Sequence, residues 1–189
     1  DRFYGYFMLN PLLPEAIERA RRAFDQYGLK GLCLFPAMHH FSVQDKRLDP
    51  IYELASERSD VVIFVHTGVL TVGVRKKLGL ASKFDMSFSN PIDLHRVAME
   101  YSNVNFVIPH FGAGFFREVL MLGDLVENVY LDTSSSNSWM KYLLPETTLD
   151  AVFSKALEVY GHSRLLFGTD SSFFPRGWNH SVFDAQMAV

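Results

Sequence analysis

Four apolar runs of strand length each end in a residue able to bind a metal or carry a proton. Val61 to Val65 runs into His66, Thr67 and Gly68; Val104 to Pro109 into His110, Phe111 and Gly112; Val129 to Leu131 into Asp132, Thr133 and Ser134; Leu165 to Phe167 into Gly168, Thr169 and Asp170. In a parallel sheet the C-terminal strand ends share one face, the face on which ligands bind in barrels and open α/β sheets alike. His66, His110 and Asp170 can therefore converge although 44 and 60 residues separate them. Two imidazoles and a carboxylate form a donor set that zinc and similar divalent ions take, and a carboxylate beside a metal-activated water can serve as general base. A single histidine at a strand end is more often a hydrogen-bonded structural residue; three such residues on one face shift that balance. Asp132 opens an Asp-Thr-Ser run that reads equally well as a capped turn, and is assigned a supporting place behind the site.

The remaining histidines read as structural. His39 and His40 are adjacent in a loop and point to opposite sides of an extended chain. His95 falls near the start of a helix, His162 precedes the last strand and so lies on the face that serves stability, and His180 sits in a polar tail.

The elements that must position these residues alternate along the chain. Strands are expected at Phe3 to Leu9, Gly31 to Phe35, Val61 to Val65, Asn105 to Pro109, Val129 to Asp132 and Leu165 to Phe167. Several are apolar throughout, as strands covered on both faces should be. Helical segments with recognisable ends lie between them. Pro14 and Glu15 open one that Gly28 closes; Asp49-Pro50 and Asn90-Pro91 each place a capping residue before a first-turn proline. A further helix runs from about Phe115 to Gly123, and a longer one carries Leu149, Val152, Phe153, Ala156, Leu157 and Tyr160 before Gly161.

Such alternation is the signature of repeated βα units. Six units fit an open doubly wound sheet or most of a (β/α)8 barrel, which typically needs about 250 residues. Two more units of roughly 30 residues added to 189 reach that length, so the expectation is one domain over 1–189, a barrel without its first two βα units. The chain opens on Asp1 with a strand-like run directly behind it, which also reads as a piece of a longer protein. Two connections are long, Pro36 to Leu48 and Thr67 to Ser89, the second carrying Arg75, Lys76 and Lys77; connections of that length are often lids or binding loops.

Composition narrows the partners. Eighteen Lys and Arg face 21 Asp and Glu, for a net charge of −3, and no basic excess is available to neutralise phosphates, so nucleic acid is not expected. No apolar run approaches the roughly 20 residues of a membrane-spanning helix. The lone Cys33, inside an apolar strand, cannot form an internal disulfide and is compatible with a reducing cytoplasm. A small-molecule substrate is the expected partner, and a homo-oligomer is compatible with the sequence.

Read in order, the segments Gly28-Leu29-Lys30-Gly31, Asp49-Pro50-Ile51-Tyr52, Val65-His66-Thr67-Gly68, Asn90-Pro91, Val107-Ile108-Pro109-His110-Phe111-Gly112, Asn128 to Ser134 and Leu165 to Asp170 resemble the amidohydrolase-related branch of the amidohydrolase superfamily. That branch holds metal-dependent TIM-barrel hydrolases and aminocarboxymuconate semialdehyde decarboxylase-like enzymes. The resemblance covers about Gly28 to Pro175. It implies that His66 matches the family's fifth-strand metal-binding histidine, His110 the sixth-strand histidine that contacts substrate or acts as acid/base, and Asp170 the eighth-strand aspartate that binds metal and handles protons. The implied cofactor is a divalent metal, zinc first, with manganese or magnesium as alternatives. The His-x-His or Glu-x-His pair usual on the family's first strand does not occur in these 189 residues.

In a hydrolase of this kind the metal lowers the pKa of its water, Asp170 accepts the proton and passes it to the leaving group, and His110 polarises the scissile carbonyl. In a decarboxylase the same metal holds the substrate carboxylate while an acid protonates the carbon that loses CO2. Arg117 and Arg176 are the candidate partners of a substrate carboxylate, and Phe173, Phe174 and Trp178 the candidate pocket wall. A non-catalytic barrel that has kept its strands and lost its metal is the competing reading from another class.

Overall fold

A computed structural model describes residues 3–71, 73–135, 137–171 and 177–189. Six strands, β1 (Tyr6–Leu9), β2 (Gly31–Leu34), β3 (Val62–Val65), β4 (Asn105–Ile108), β5 (Val129–Asp132) and β6 (Leu165–Leu166), form one sheet in chain order. Every neighbouring pair is parallel. Each expected strand is present; β5 has the expected bounds and the other five are trimmed by one to three residues where the ladder gives way to a loop. The sheet is open: among the described residues β1 pairs only with β2 and β6 only with β5. Six βα units laid side by side without closure are the partial barrel that the length arithmetic anticipates.

The register explains why the strands are apolar on both sides. Phe7, Leu32, Ile63, Phe106 and Val129 form one row across the sheet, and Leu32, Ile63, Phe106 and Val129 are fully buried beneath helices. The adjacent row, Met8, Cys33, Phe64, Val107 and Tyr130, faces the other way because side chains alternate along a strand. That face is only partly covered. Met8 is 53% exposed and Tyr6, on the same side, 48%. In a closed barrel this row would fill the interior; here the helix-facing rows carry the core.

The helices are α1 (Ala16–Asp25), α2 (Pro36–His39), α3 (Asp49–Ser56), α4 (Gly73–Lys77), α5 (Leu94–Glu100), α6 (Phe116–Leu125), α7 (Leu149–Tyr160) and α8 (His180–Met187). Thr148 caps α7 by accepting from the Ala151 amide, and Gly161 ends it at φ 64°. Two caps differ from the sequence expectation. Asp49 is the first residue of α3, while Asp45 caps the short 3-10 turn Lys46–Leu48 that feeds it. Asn90 does cap, accepting from Ile92, but it starts the 3-10 turn Pro91–Asp93 ahead of α5. The tail holding His180 is helical. Gln186 anchors α8 to the sheet, donating to the carbonyls of Thr133 (3.0 Å) and Gly168 (2.9 Å) and accepting from the Thr133 hydroxyl at 2.6 Å.

One buried polar hub ties the α6–α7–β6 corner. Arg164 donates to the carbonyls of Gly123, Val126, Val159 and Tyr160 at 2.9–3.1 Å, and the Tyr160 hydroxyl donates to Val119 O at 2.6 Å. The four carbonyls that Arg164 meets lie at or near helix ends that leave acceptors unpaired. No helix among the described residues is long and apolar enough to cross a membrane.

Candidate active site

His66 directly follows β3, His110 lies two residues past β4, and Asp170 four residues past β6. Because all six strands run parallel, the three residues stand at the same end of the sheet. His66 and His110 meet: their rings pack edge to face with centroids 5.2 Å apart. The backbone of His66 extends the ladder by donating to Leu34 O at 2.9 Å, and its ring stacks on Phe35 at 5.5 Å. It is 6% exposed and its Nδ1 has no hydrogen-bond partner. Burial, reinforced by the neighbouring His110 and partly opposed by the carbonyls of His66 and Thr67, pushes its pKa down to about 3. His66 is therefore a neutral imidazole with an unused nitrogen, the form in which histidine binds metals.

The turn carrying His110 is held in an unusual shape. His110, Phe111 and Ala113 all have positive φ (60°, 50° and 44°) around Gly112 at 79°. Non-glycine residues in this region cost of order 1–3 kcal/mol each and persist where the surroundings hold them. Phe111 supplies that hold. It is fully buried, with ring centroids 5.2 Å from Phe153, 5.9 Å from Trp139 and 6.1 Å from Phe116. The turn also locks onto the loop after β3, where Val69 donates to Ala113 O at 2.9 Å. Gly68, at φ 75°, makes the approach feasible: a Cβ there would collide with Gly112 O and sit 2.6 Å from Ala113 O.

Asp132 and Ser134 join this turn from β5. Nδ1 of His110 lies 2.9 Å from Ser134 Oγ and 3.1 Å from Ser134 O. Asp132 Oδ1 accepts from both the Ser134 amide (2.7 Å) and the Ser134 hydroxyl. The Asp-Thr-Ser run is thus the capped turn its sequence suggests, and it also reaches the site. Ser134 escaped sequence reasoning; the signal that could have found it is Asp-x-Ser at a strand end, where an aspartate that caps residue i+2 turns that residue's side chain back.

Asp170 is exposed, with φ 50°, and no contact joins it to the histidine pair among the described residues. Arg117 lies in the first turn of α6, its side chain 82% exposed and ion-paired with Glu118 at 2.7 Å. The structure does not bring it to the histidines. Arg176, Phe173 and Phe174 lie outside the described residues. Trp178 packs on Phe183 of α8, centroids 6.0 Å apart. His40 Nε2 donates to Lys83 O (2.7 Å), while His39 stacks on Phe41. Among the described residues no group of three or more His, Cys, Asp or Glu side chains is gathered to hold a metal. A hollow of about 480 Å³ lies at the far end of the sheet, lined by Ala98, Met99, Asn105, Glu127 and Asn128, away from this chemistry.

An open run of βα units with histidines at the strand ends defines a piece of a TIM-barrel scaffold, and known proteins agree. A solved TIM-barrel protein of uncharacterised role from Bordetella bronchiseptica superposes with a TM-score of 0.73 at 20% identity, covering 100% of this chain and 60% of that one. The 5-carboxyvanillate decarboxylase of Sphingomonas paucimobilis gives 0.64 at 13% identity, over 98% of this chain and 59% of its own. The 4-oxalomesaconate hydratase of Rhodopseudomonas palustris gives 0.59 at 17%, over 100% and 59%. The family model described as amidohydrolase matches residues 1–189, and the chain belongs to that family. Protein fluG of Emericella nidulans is 33% identical over 90 residues, which are 46% of this chain and 10% of fluG. The chain thus spans about 60% of the solved barrels and a tenth of that relative.

Proposed function

We propose that the protein is a metal-dependent hydrolase of a small carbonyl-containing substrate, and that this chain contributes His66 and Asp170 as metal ligands and His110 as the group that meets the substrate. The observation that carries this reading is the pairing of His66 with His110 at the C-terminal end of the sheet, with His66 kept neutral and its Nδ1 unused. That donor chemistry fits a divalent ion, zinc first and manganese or magnesium as alternatives. The His-x-His or Glu-x-His pair of the family does not occur in these 189 residues, and the reading requires that the whole protein supply it. When bound, the ion supplies Lewis acidity at the carbonyl and lowers the pKa of water. Asp170, exposed at the strand-end face, accepts the proton of the attacking water and delivers it to the leaving group. His110, once its Nε2 carries a proton, donates a hydrogen bond to the carbonyl oxygen as negative charge develops there. A water-derived oxygen ends on the acyl carbon and the proton on the leaving atom, so the step balances as hydrolysis.

The fold match to a decarboxylase favours a second reading, loss of CO2 from an aromatic or unsaturated carboxylic acid at the same residues. One experiment separates the possibilities: metal analysis of the full-length protein and its His66→Asn, His110→Asn and Asp170→Asn variants, beside rates on esters, lactones, amides and carboxylic acids. His66→Asn is expected to deplete the metal. His110→Asn should keep it and lose turnover, and Asp170→Asn should lose turnover by about 100-fold or more. Full activity in Asp170→Asn, or equal metal loss in His110→Asn and His66→Asn, refutes the roles. CO2 release without water incorporation selects the second reading, and a metal-free, inactive wild type selects a non-catalytic barrel.

A further inference from the structure

The hydrogen bonds around His110 leave its proton only one place to be. Asp132 Oδ1 is an acceptor, since it receives the Ser134 amide at 2.7 Å. The Ser134 hydroxyl spends its single hydrogen on the same oxygen. Ser134 Oγ can then only accept at 2.9 Å from His110 Nδ1, and the second neighbour of that nitrogen, Ser134 O at 3.1 Å, is a carbonyl and also only accepts. Two acceptors facing one ring nitrogen require that nitrogen to carry hydrogen.

We infer that Asp132 and Ser134 are positioning residues that fix neutral His110 as the Nδ1–H tautomer and leave Nε2 as its proton-accepting atom. Neither touches the reacting atoms; each acts through the imidazole, in the way a buried carboxylate orients a catalytic histidine. The chain is backed on its far side by Gly168. A Cβ there would stand 2.6 Å from Asp132 Oδ2 and 2.9 Å from Ser134 Cβ, so the backbone beyond β6 presses Asp132 and Ser134 into place. Three strand ends, those of β4, β5 and β6, thus determine one proton position. The catalytic meaning rests on the function proposed above: His110 reaches the substrate with a free Nε2 that takes up a proton before it can donate one. The tautomer itself does not depend on that function.

The test reads the tautomer directly. Long-range proton–nitrogen correlation spectra of the full-length protein, labelled with nitrogen-15 histidine and assigned with a His110→Gln variant, are recorded where the imidazole is neutral. The Nδ1–H pattern is expected for His110 in the wild type and in Ser134→Thr, which keeps the hydroxyl. Asp132→Asn offers an amide donor to Ser134 Oγ, frees the hydroxyl hydrogen to turn towards Nδ1, and should bring in the Nε2–H form. Ser134→Ala keeps the carbonyl acceptor but severs the link to Asp132, and should shift the His110 nitrogen signals while Ser134→Thr leaves them in place. A predominant Nε2–H form in the wild type overturns the inference. So does an Asp132→Asn or Ser134→Ala variant, each shown to be folded, whose His110 signals match the wild type. An Nδ1–H tautomer in a protein that hydrolyses nothing would refute the proposed function and leave this inference standing.

Discussion

Acidification should weaken the metal-free protein through His66, and replacing His66 should remove that component. The imidazole is 6% exposed and its Nδ1 is unpartnered, and burial holds its pKa at about 3. In the unfolded chain it titrates near about 6.5. Between those values the unfolded state binds a proton that the folded state refuses, so stability rises with pH through the window and falls away as the pH drops towards 3. At pH 5 the unfolded histidine is about 1.5 pH units below its own pKa while the folded one is still neutral; at about 1.4 kcal/mol per unit this costs roughly 2 kcal/mol. The full depression, reached below pH 3, corresponds to about 5 kcal/mol. Urea unfolding of the full-length protein in chelator at pH 7 and pH 5, run beside His66→Gln, isolates the effect because other titrating groups are common to both. The wild type should lose about 2 kcal/mol more than the variant over that interval. Equal losses would show that folded His66 protonates as readily as unfolded His66 and would refute its assignment as a buried neutral ligand.

Gly68→Ala forces a side chain onto Gly112 O at a φ of 75°, and should lower stability by about 2–4 kcal/mol in urea unfolding; a wild-type midpoint would mean the two loops are not clamped as described. Arg164→Lys keeps the charge but cannot reach four carbonyls with one fork, so a loss of about 2 kcal/mol is expected, and a loss under about 0.5 kcal/mol would show that these carbonyl contacts do not hold the corner together. Arg117→Ala removes an exposed ion pair and should change stability by less than about 0.5 kcal/mol. A rise in KM confined to carboxylated substrates in that variant would return Arg117 to the site despite its pairing with Glu118.

The strands were legible because burial on both faces demands unbroken apolar runs, and their C-terminal residues stood out against those runs. His66 and His110 could be named for that reason. Caps were less legible. Asp49-Pro50 carries the residues of a helix start, yet Asp45 takes the capping geometry because a 3-10 turn intervenes, and nothing local distinguishes the two aspartates. The tail from His180 reads as polar from its residue types; its helix is stabilised by Gln186 bonding to Thr133 and Gly168, 53 and 18 residues away.

The order of types along the chain by itself determined the parallel βα architecture, the number of strands and the end of the sheet at which His66 and His110 stand, since periodicity and right-handed crossovers leave little freedom there. Tertiary structure alone decided what those residues are to one another. It set the His66 and His110 rings in contact, withdrew His66 from water, paired Arg117 with its neighbour and ran Asp132 through Ser134 to His110. Side-chain partnership depends on distances of a few ångströms between segments tens of residues apart, and a hydrogen bond that changes the role of an imidazole leaves no periodic trace in the sequence that encodes it.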